Sequence, residues 1–266
     1  MDFSLLSQNE FFWLFLGIAS FITGVLASIG GAGGLIIMPF LIGSGVPPQV
    51  AVGTAKFSSF GLWAIVLTSF TKAKLIKWKY VLPMCILGAI GGIIGANIAL
   101  SIDQNTMIFT IGILFLIIGA LSLLNPDYGV IEQSVSRNKI IMGMILYFGI
   151  ITFSGLFPGG MSIFIIFTLV TFMGLNALQA HATDILPWIA QTITSTAIYL
   201  MNDMVDFSLA LSLFFGMALG GHIGSKLAIK KGAKLVKYLI SILAVILGAY
   251  WTFKYGQILF TPPTSL

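Results

Sequence analysis

From Tyr80 to Leu100 the chain carries no charged side chain, and apolar runs of similar length recur along it. A helix of about 20 residues, rising 1.5 Å per residue, crosses the roughly 30 Å of hydrocarbon in a bilayer. Only 8% of the 266 residues are charged and 58% are hydrophobic, whereas about 25% of an ordinary soluble domain is charged. There is too little polar material to coat a soluble core. Composition therefore excludes a soluble enzyme, a disordered chain and a coiled coil. A membrane β-barrel fails as well, because the apolar runs are continuous rather than alternating. The fold expected is an all-α, multi-pass membrane protein.

Ten apolar segments can be marked: 11–28, 34–44, 49–71, 80–100 and 105–124, then 139–155, 160–173, 178–200, 207–225 and 235–255. The second of each five is too short to cross the bilayer straight. Each follows a break, Gly30-Gly31-Ala32-Gly33-Gly34 in one half and Phe157-Pro158-Gly159-Gly160 in the other. Backbone released from a helical ladder must face protein or water inside a membrane, so the breaks belong in the bundle interior. The N-terminus, with Asp2 and Glu10 but no basic residue before the first apolar run, reads as a retained helix rather than a cleaved leader.

The halves repeat. Val52-Gly53-Thr54 and His181-Ala182-Thr183 are 129 residues apart, as are Gly91-Gly92-Ile93-Ile94-Gly95 and Gly220-Gly221-His222-Ile223-Gly224. The glycine pairs Gly33-Gly34 and Gly159-Gly160 are 126 apart. Charge sets the expected relation between halves. Lys72, Lys74, Lys77 and Lys79 precede the first GGxxG helix, whereas Lys226, Lys230, Lys231, Lys234 and Lys237 follow the second. Basic loops stay cytoplasmic, so matching helices are expected to run oppositely, as in inverted-repeat transporters. The division is 1–128 for the first repeat, 129–138 for a cytoplasmic linker and 139–266 for the second, with both termini outside. The glycine stripes of the two GGxxG helices read as packing surfaces. The lone Cys85 permits no internal disulfide.

Gly30-Gly31-Ala32-Gly33-Gly34, the apolar run to Pro39, Gly45-Val46-Pro47-Pro48 and Ala51-Val52-Gly53-Thr54 together resemble the TauE/SafE family of sulfite exporter-like permeases, whose duplicated layout matches the whole chain. The second half departs in its thinned glycine cluster and in His181 and Asp184. The resemblance implies transport of a small sulfur-containing anion such as sulfite or an organosulfonate.

The residues suggest how an anion is held. A half-helix starting inside the membrane directs unpaired N–H groups and a partial positive charge at whatever precedes it. A cradle is expected at Gly31, Gly33, Gly34, Gly159 and Gly160, with Thr54, Thr183 and Gln191 as polar partners. Lys56 is a basic residue deep in an apolar segment, where a charge costs about 2.5–3.5 kcal/mol on insertion scales. It either binds the anion or snorkels to the outer interface. Asp184 aligns with Ala55, next to Lys56, which suggests an ion pair across the halves. His181, Asp184, Trp188, Gln191 and Ser195 share one helical face, and Asp184 and His181 are candidates for proton coupling. Inert structural roles remain open for both.

The leading function is a secondary transporter in the cell membrane, working by alternating access and powered by an ion or substrate gradient. A passive anion channel, or a carrier of another small anion or metabolite, is the competing reading. No catalytic residue, metal site or cofactor is expected: an HExxH pattern is absent, and two His with one Cys make a poor zinc site. Lipid and a small anion are the expected partners, nucleic acid is not, and a homo-oligomer stays open.

Overall fold

The computed structural model describes residues 10–31, 33–99, 113, 116, 129–156 and 161–260. Among the described residues eight helices follow in order: α1 Glu10–Gly30, α2 Gly34–Gly43, α3 Pro48–Lys72, α4 Trp78–Ala99, α5 Arg137–Leu156, α6 Met161–Met173, α7 Ala177–Met201 and α8 Phe207–Phe260. Among the described residues there is no strand. The backbone of α8 breaks at Gly232 (φ 73°, ψ −166°), so the two last apolar segments are separated there. The expected segment 105–124 lies outside the described residues. Among the described residues five helices are long and apolar enough to cross a membrane: α1, α3, α4, α5 to Gly155, and α8 to Gly232. The bent pair α6 and α7, turning through 114°, makes a sixth crossing if counted as one broken span. The protein is an all-α, multi-pass membrane protein.

The outer surface confirms which solvent it meets. Leu82, Ile86, Ile90 and Ile94 form an exposed stripe along α4, and Leu211, Phe215, Leu219 and Ile223 form another along α8. Apolar stripes of this length facing outward are at rest only against lipid. The small residues turn inward. A Cβ on Gly92 would come within 2.4 Å of the Gln191 carbonyl oxygen in α7, and one on Gly220 within 2.1 Å of the Phe21 carbonyl oxygen in α1. With lipid as apolar as leucine, close backbone approach supplies the packing energy.

The 129-residue spacing recurs in the backbone. Gly45 and Gly174 both have positive φ in the turns that end α2 and α6. Lys74 and Asp203 are the described non-glycine residues with positive φ, and they occupy equivalent turns before α4 and α8. The threonines match too: the Asp206 amide donates to Thr54 Oγ1 (2.9 Å), and the Lys77 amide donates to Thr183 Oγ1 (3.0 Å). Each half thus pins the start of the other half's fourth helix. Thr54 and Thr183, expected as polar partners of the anion, each accept from an amide here, and neither lines the cavity described below.

The fourth helices are exchanged. α4 packs on α5 and α7, and α8 packs on α1 and α3. The third helices, α3 and α7, cross antiparallel: Lys56 meets Gln191, Trp63 meets Trp188, and Phe70 meets His181. The linker is tied down at one end of this bundle. Gln133 N–H donates to the Gly174 carbonyl (2.8 Å), and Ala177 N–H donates to that of Gly129 (2.7 Å). Glu132 accepts from Lys77 Nζ (2.9 Å) and from Gln179 Nε2. The bonds from Lys77 and then Gln179 hold the Glu132 carboxyl below its ordinary range. Both partners of the ion pair are partly exposed, so it adds little stability.

Candidate anion site

The first break shapes the site. α1 ends at Gly30, and Gly31 turns the chain with φ 70°. A Cβ on Gly31 would fall 2.2 Å from Ser162 Oγ, at the start of α6. The first break therefore abuts the helix that follows the second break. Only glycine satisfies both the left-handed φ and this contact. α2 then begins at Gly34 with no side-chain cap. At about 15 Å long it reaches halfway through the hydrocarbon.

Beside this junction lies a cavity with about 40 Å³ of room for water centres; one water needs about 10–15 Å³. Gly31, Gly34, Thr23, Lys56, Ser59 and Thr192 supply its polar wall, and Trp63, Trp188, Leu62 and Met217 its apolar one. None of the described lining side chains is acidic. Lys56 is 3% exposed. Its ammonium donates to the Ser154 carbonyl (3.0 Å) and to Gln191 Oε1 (3.5 Å). Ser154 sits in the last turn of α5, where carbonyls have no partner within their own helix and carry the negative end of the dipole. Lys56 is thus held inside the bundle, and snorkelling to the interface is ruled out.

Three buried polar groups here have no partner among the described residues: Thr23 Oγ1, Trp63 Nε1 and Gln191 Nε2. An indole N–H and an amide NH₂ can only donate. Leaving such groups unpaired costs about 1–3 kcal/mol each. An anion accepting from Trp63 and Thr23 beside Lys56 recovers that loss. Sequence reading missed Thr23 and Trp63, because their convergence needs α1 and α3 in place. Of the expected cradle, Gly31 and Gly34 line the cavity. Gly33 instead packs back on α1, where a Cβ would meet the Thr23 carbonyl oxygen at 2.5 Å. Gly159 and Gly160 lie outside the described residues. Gln191 is fully buried and holds Lys56 from behind.

The expected Lys56–Asp184 ion pair does not form. Asp184 Oδ1 accepts from the Tyr147 hydroxyl instead (2.7 Å), while Lys56 turns to the end of α5. The reason is helical register: Lys56 faces Gln191 in the antiparallel crossing, about two turns along α7 from Asp184.

His181 has a task matching that of Lys56. Its Nε2 lies 3.0 Å from the Ser28 carbonyl oxygen; a carbonyl only accepts, so Nε2 carries the proton. Ser28 and Ser154 are 126 residues apart, the same spacing as the broken glycine pairs. Each serine hydroxyl also donates back one turn, to Val25 and Ile151. The broken ends of α1 and α5 are thus capped at equivalent carbonyls, each by the other half's third helix. His181→Phe, which keeps the ring but loses the donor, is expected to destabilise the protein by about 1–3 kcal/mol. His181→Gln should recover part of this. Thermal unfolding of both variants in detergent checks it.

The sequence matches the family described as Sulfite exporter TauE/SafE over residues 16–251. A probable membrane transporter protein, ORF9 of Sinorhizobium sp., is 29% identical over 234 residues, covering 88% of this chain and 89% of its own. The probable membrane transporter protein YfcA of Escherichia coli K12 is 25% identical over 241 residues, covering 89% of each chain. YunE of Bacillus subtilis, likewise a probable membrane transporter protein, is 24% identical, covering 89% of this chain and 96% of its own. No solved structure matches. With the family pattern running from within α1 to within α8, the chain belongs to the TauE/SafE family of membrane transporters.

Proposed function

We propose that the protein is a secondary transporter that carries a small sulfur-containing anion, such as sulfite or an organosulfonate, across the cell membrane by alternating access. The observation that carries this reading is the cavity lined by Lys56 together with two polar groups without a partner among the described residues, Thr23 and Trp63, and by no described carboxylate. A cation and donors beside an apolar wall suit an oxyanion that has shed part of its water.

An inverted repeat is the companion proposal. The antiparallel crossing of α3 and α7 supports it. So does the position of the basic clusters: Ser225 Oγ donates to Ser69 Oγ (3.2 Å), which brings the end of α3, before Lys72, beside the stretch of α8 before Lys226. Both clusters then lie at one end of the bundle, as cytoplasmic loops should.

Purified protein in proteoliposomes tests the reading by counterflow of labelled sulfite, an organosulfonate and thiosulfate. Saturable exchange of at least one is expected. Failure of all three removes the sulfur-anion assignment, and conductance in a planar bilayer turns it to a channel.

A further inference from the structure

We propose that a second, narrower hollow, lined by Trp63, Ser162, His181, Asp184, Ile185 and Trp188, is a proton-binding site that drives the anion site, with Asp184 as its carrier and Tyr147 as its hydrogen-bond partner. The proposal rests on the transport reading above. Its first support is the repeat. Ala55 and Lys56 line the anion cavity; Asp184 and Ile185, 129 residues on, line the second hollow. Equivalent places in the two halves therefore hold a cation-bearing site and an acid-bearing one.

The second support is what surrounds the carboxyl. Asp184 is 4% exposed and Tyr147 is fully buried. Tyr147 reaches Asp184 from α5, Cys85 lies within electrostatic reach on α4, Ser162 faces the hollow from α6 and Trp63 from α3. On its own helix, His181 lies one turn earlier, occupied with Ser28. Among the described residues no cationic nitrogen comes within ion-pair distance of Asp184. A bare carboxylate at such depth is costly, and binding a proton removes its charge.

The ligand is a proton rather than a metal ion, because the hollow has no room for a water centre. Among the described residues no group of three or more His, Cys, Asp and Glu stands together either. The step is simple. Oδ1 keeps the bond from Tyr147, and an O–H bond forms at Oδ2 with a proton taken from water at one membrane face. The same bond breaks when that proton leaves to the other face. Trp63 and Trp188, with ring centroids 6.2 Å apart, line both hollows. Protonation therefore removes a negative charge one aromatic layer from the anion, and linkage makes the coupling reciprocal. His181, expected to share the proton, is assigned here as a cap.

The test has two arms. In proteoliposomes, a pH gradient should drive sulfite accumulation by wild-type protein. In Asp184→Asn accumulation should fall about tenfold while labelled sulfite still exchanges; Tyr147→Phe should shift the pH profile. Unaltered gradient-driven accumulation in Asp184→Asn overturns the proposal. Loss of exchange in the wild type counts against the sulfite assignment instead. The second arm needs no substrate. Infrared difference spectra of the reconstituted protein, taken across the physiological pH range, should show a carboxylic-acid band that shifts in heavy water and is missing in Asp184→Asn. A wild-type spectrum without that band overturns the proton site whatever the substrate proves to be.

Discussion

Replacing Lys56 by Met is expected to abolish anion exchange while leaving the protein inserted in the membrane. The side chain keeps its length, but the ammonium goes. The site then loses its cation, since every other described lining side chain is neutral. Removing one partner of a buried, hydrogen-bonded charge contact costs about 2–5 kcal/mol. That corresponds to ~30-fold or more in anion affinity, at 1.4 kcal/mol per tenfold. Two further consequences mark this as the site and not a packing defect. Lys56→Arg should fail to restore exchange, because a planar guanidinium cannot take the place of a compact ammonium between Ser154 and Gln191. Trp63→Phe, which removes only the unpartnered N–H, should weaken binding by a smaller factor. The check is the concentration dependence of labelled sulfite exchange for each variant. Wild-type affinity in Lys56→Met moves the anion elsewhere.

Lys56, Gly31 and Gly34 are legible in the sequence while Thr23 and Trp63 are not, which follows from the kind of information each needs. A charge among apolar residues is visible in one segment, and so is a glycine break before an undersized helix. Both features point to residues that line a single cavity, Lys56 with Gly31 and Gly34. Thr23 and Trp63 look ordinary in sequence; they matter because neighbouring helices leave them without partners. The threonine pair shows the reverse. Thr54 and Thr183 stood out through the repeat, yet the repeat fixes them as clamps on the amides of Asp206 and Lys77. Asp184 was read as the mate of Lys56 because alignment puts the two side by side. In an antiparallel crossing, however, equivalence under the repeat does not mean contact. The cap on α1 by His181 spans 153 residues of chain, and no local pattern encodes it.

Gly95→Val is expected to give the largest loss of stability among single substitutions in α4. A Cβ at this position would lie 2.0 Å from the Thr152 carbonyl oxygen and 2.8 Å from the Gly155 Cα, both backbone atoms of α5. A side chain can rotate away from such a clash, but a helix backbone must move as a whole. Overpacking costs about 1–3 kcal/mol where side chains yield, so about 3 kcal/mol or more is expected here. That is a large share of a total of about 5–15 kcal/mol. Gly224, its mate in the repeat, would strike the Val25 carbonyl oxygen at 2.4 Å and Ser28 Oγ at 2.1 Å in α1. Gly224→Val should therefore be comparably harmful. Gly149→Ala, with nothing within 4 Å, should be neutral or mildly stabilising. Apparent melting temperature and monodisperse yield in detergent decide the comparison. The outcome bears on transport as well as on stability. α4 packs on α5 and α7, and α8 on α1 and α3, so under the proposed alternating access the moving bodies are not the two sequence halves. Each group of helices carries the other half's fourth helix, and the caps at Ser28 and Ser154 bridge the two groups. Equal damage from the two valines is what this exchanged packing requires; harmless substitution at either glycine would contradict it.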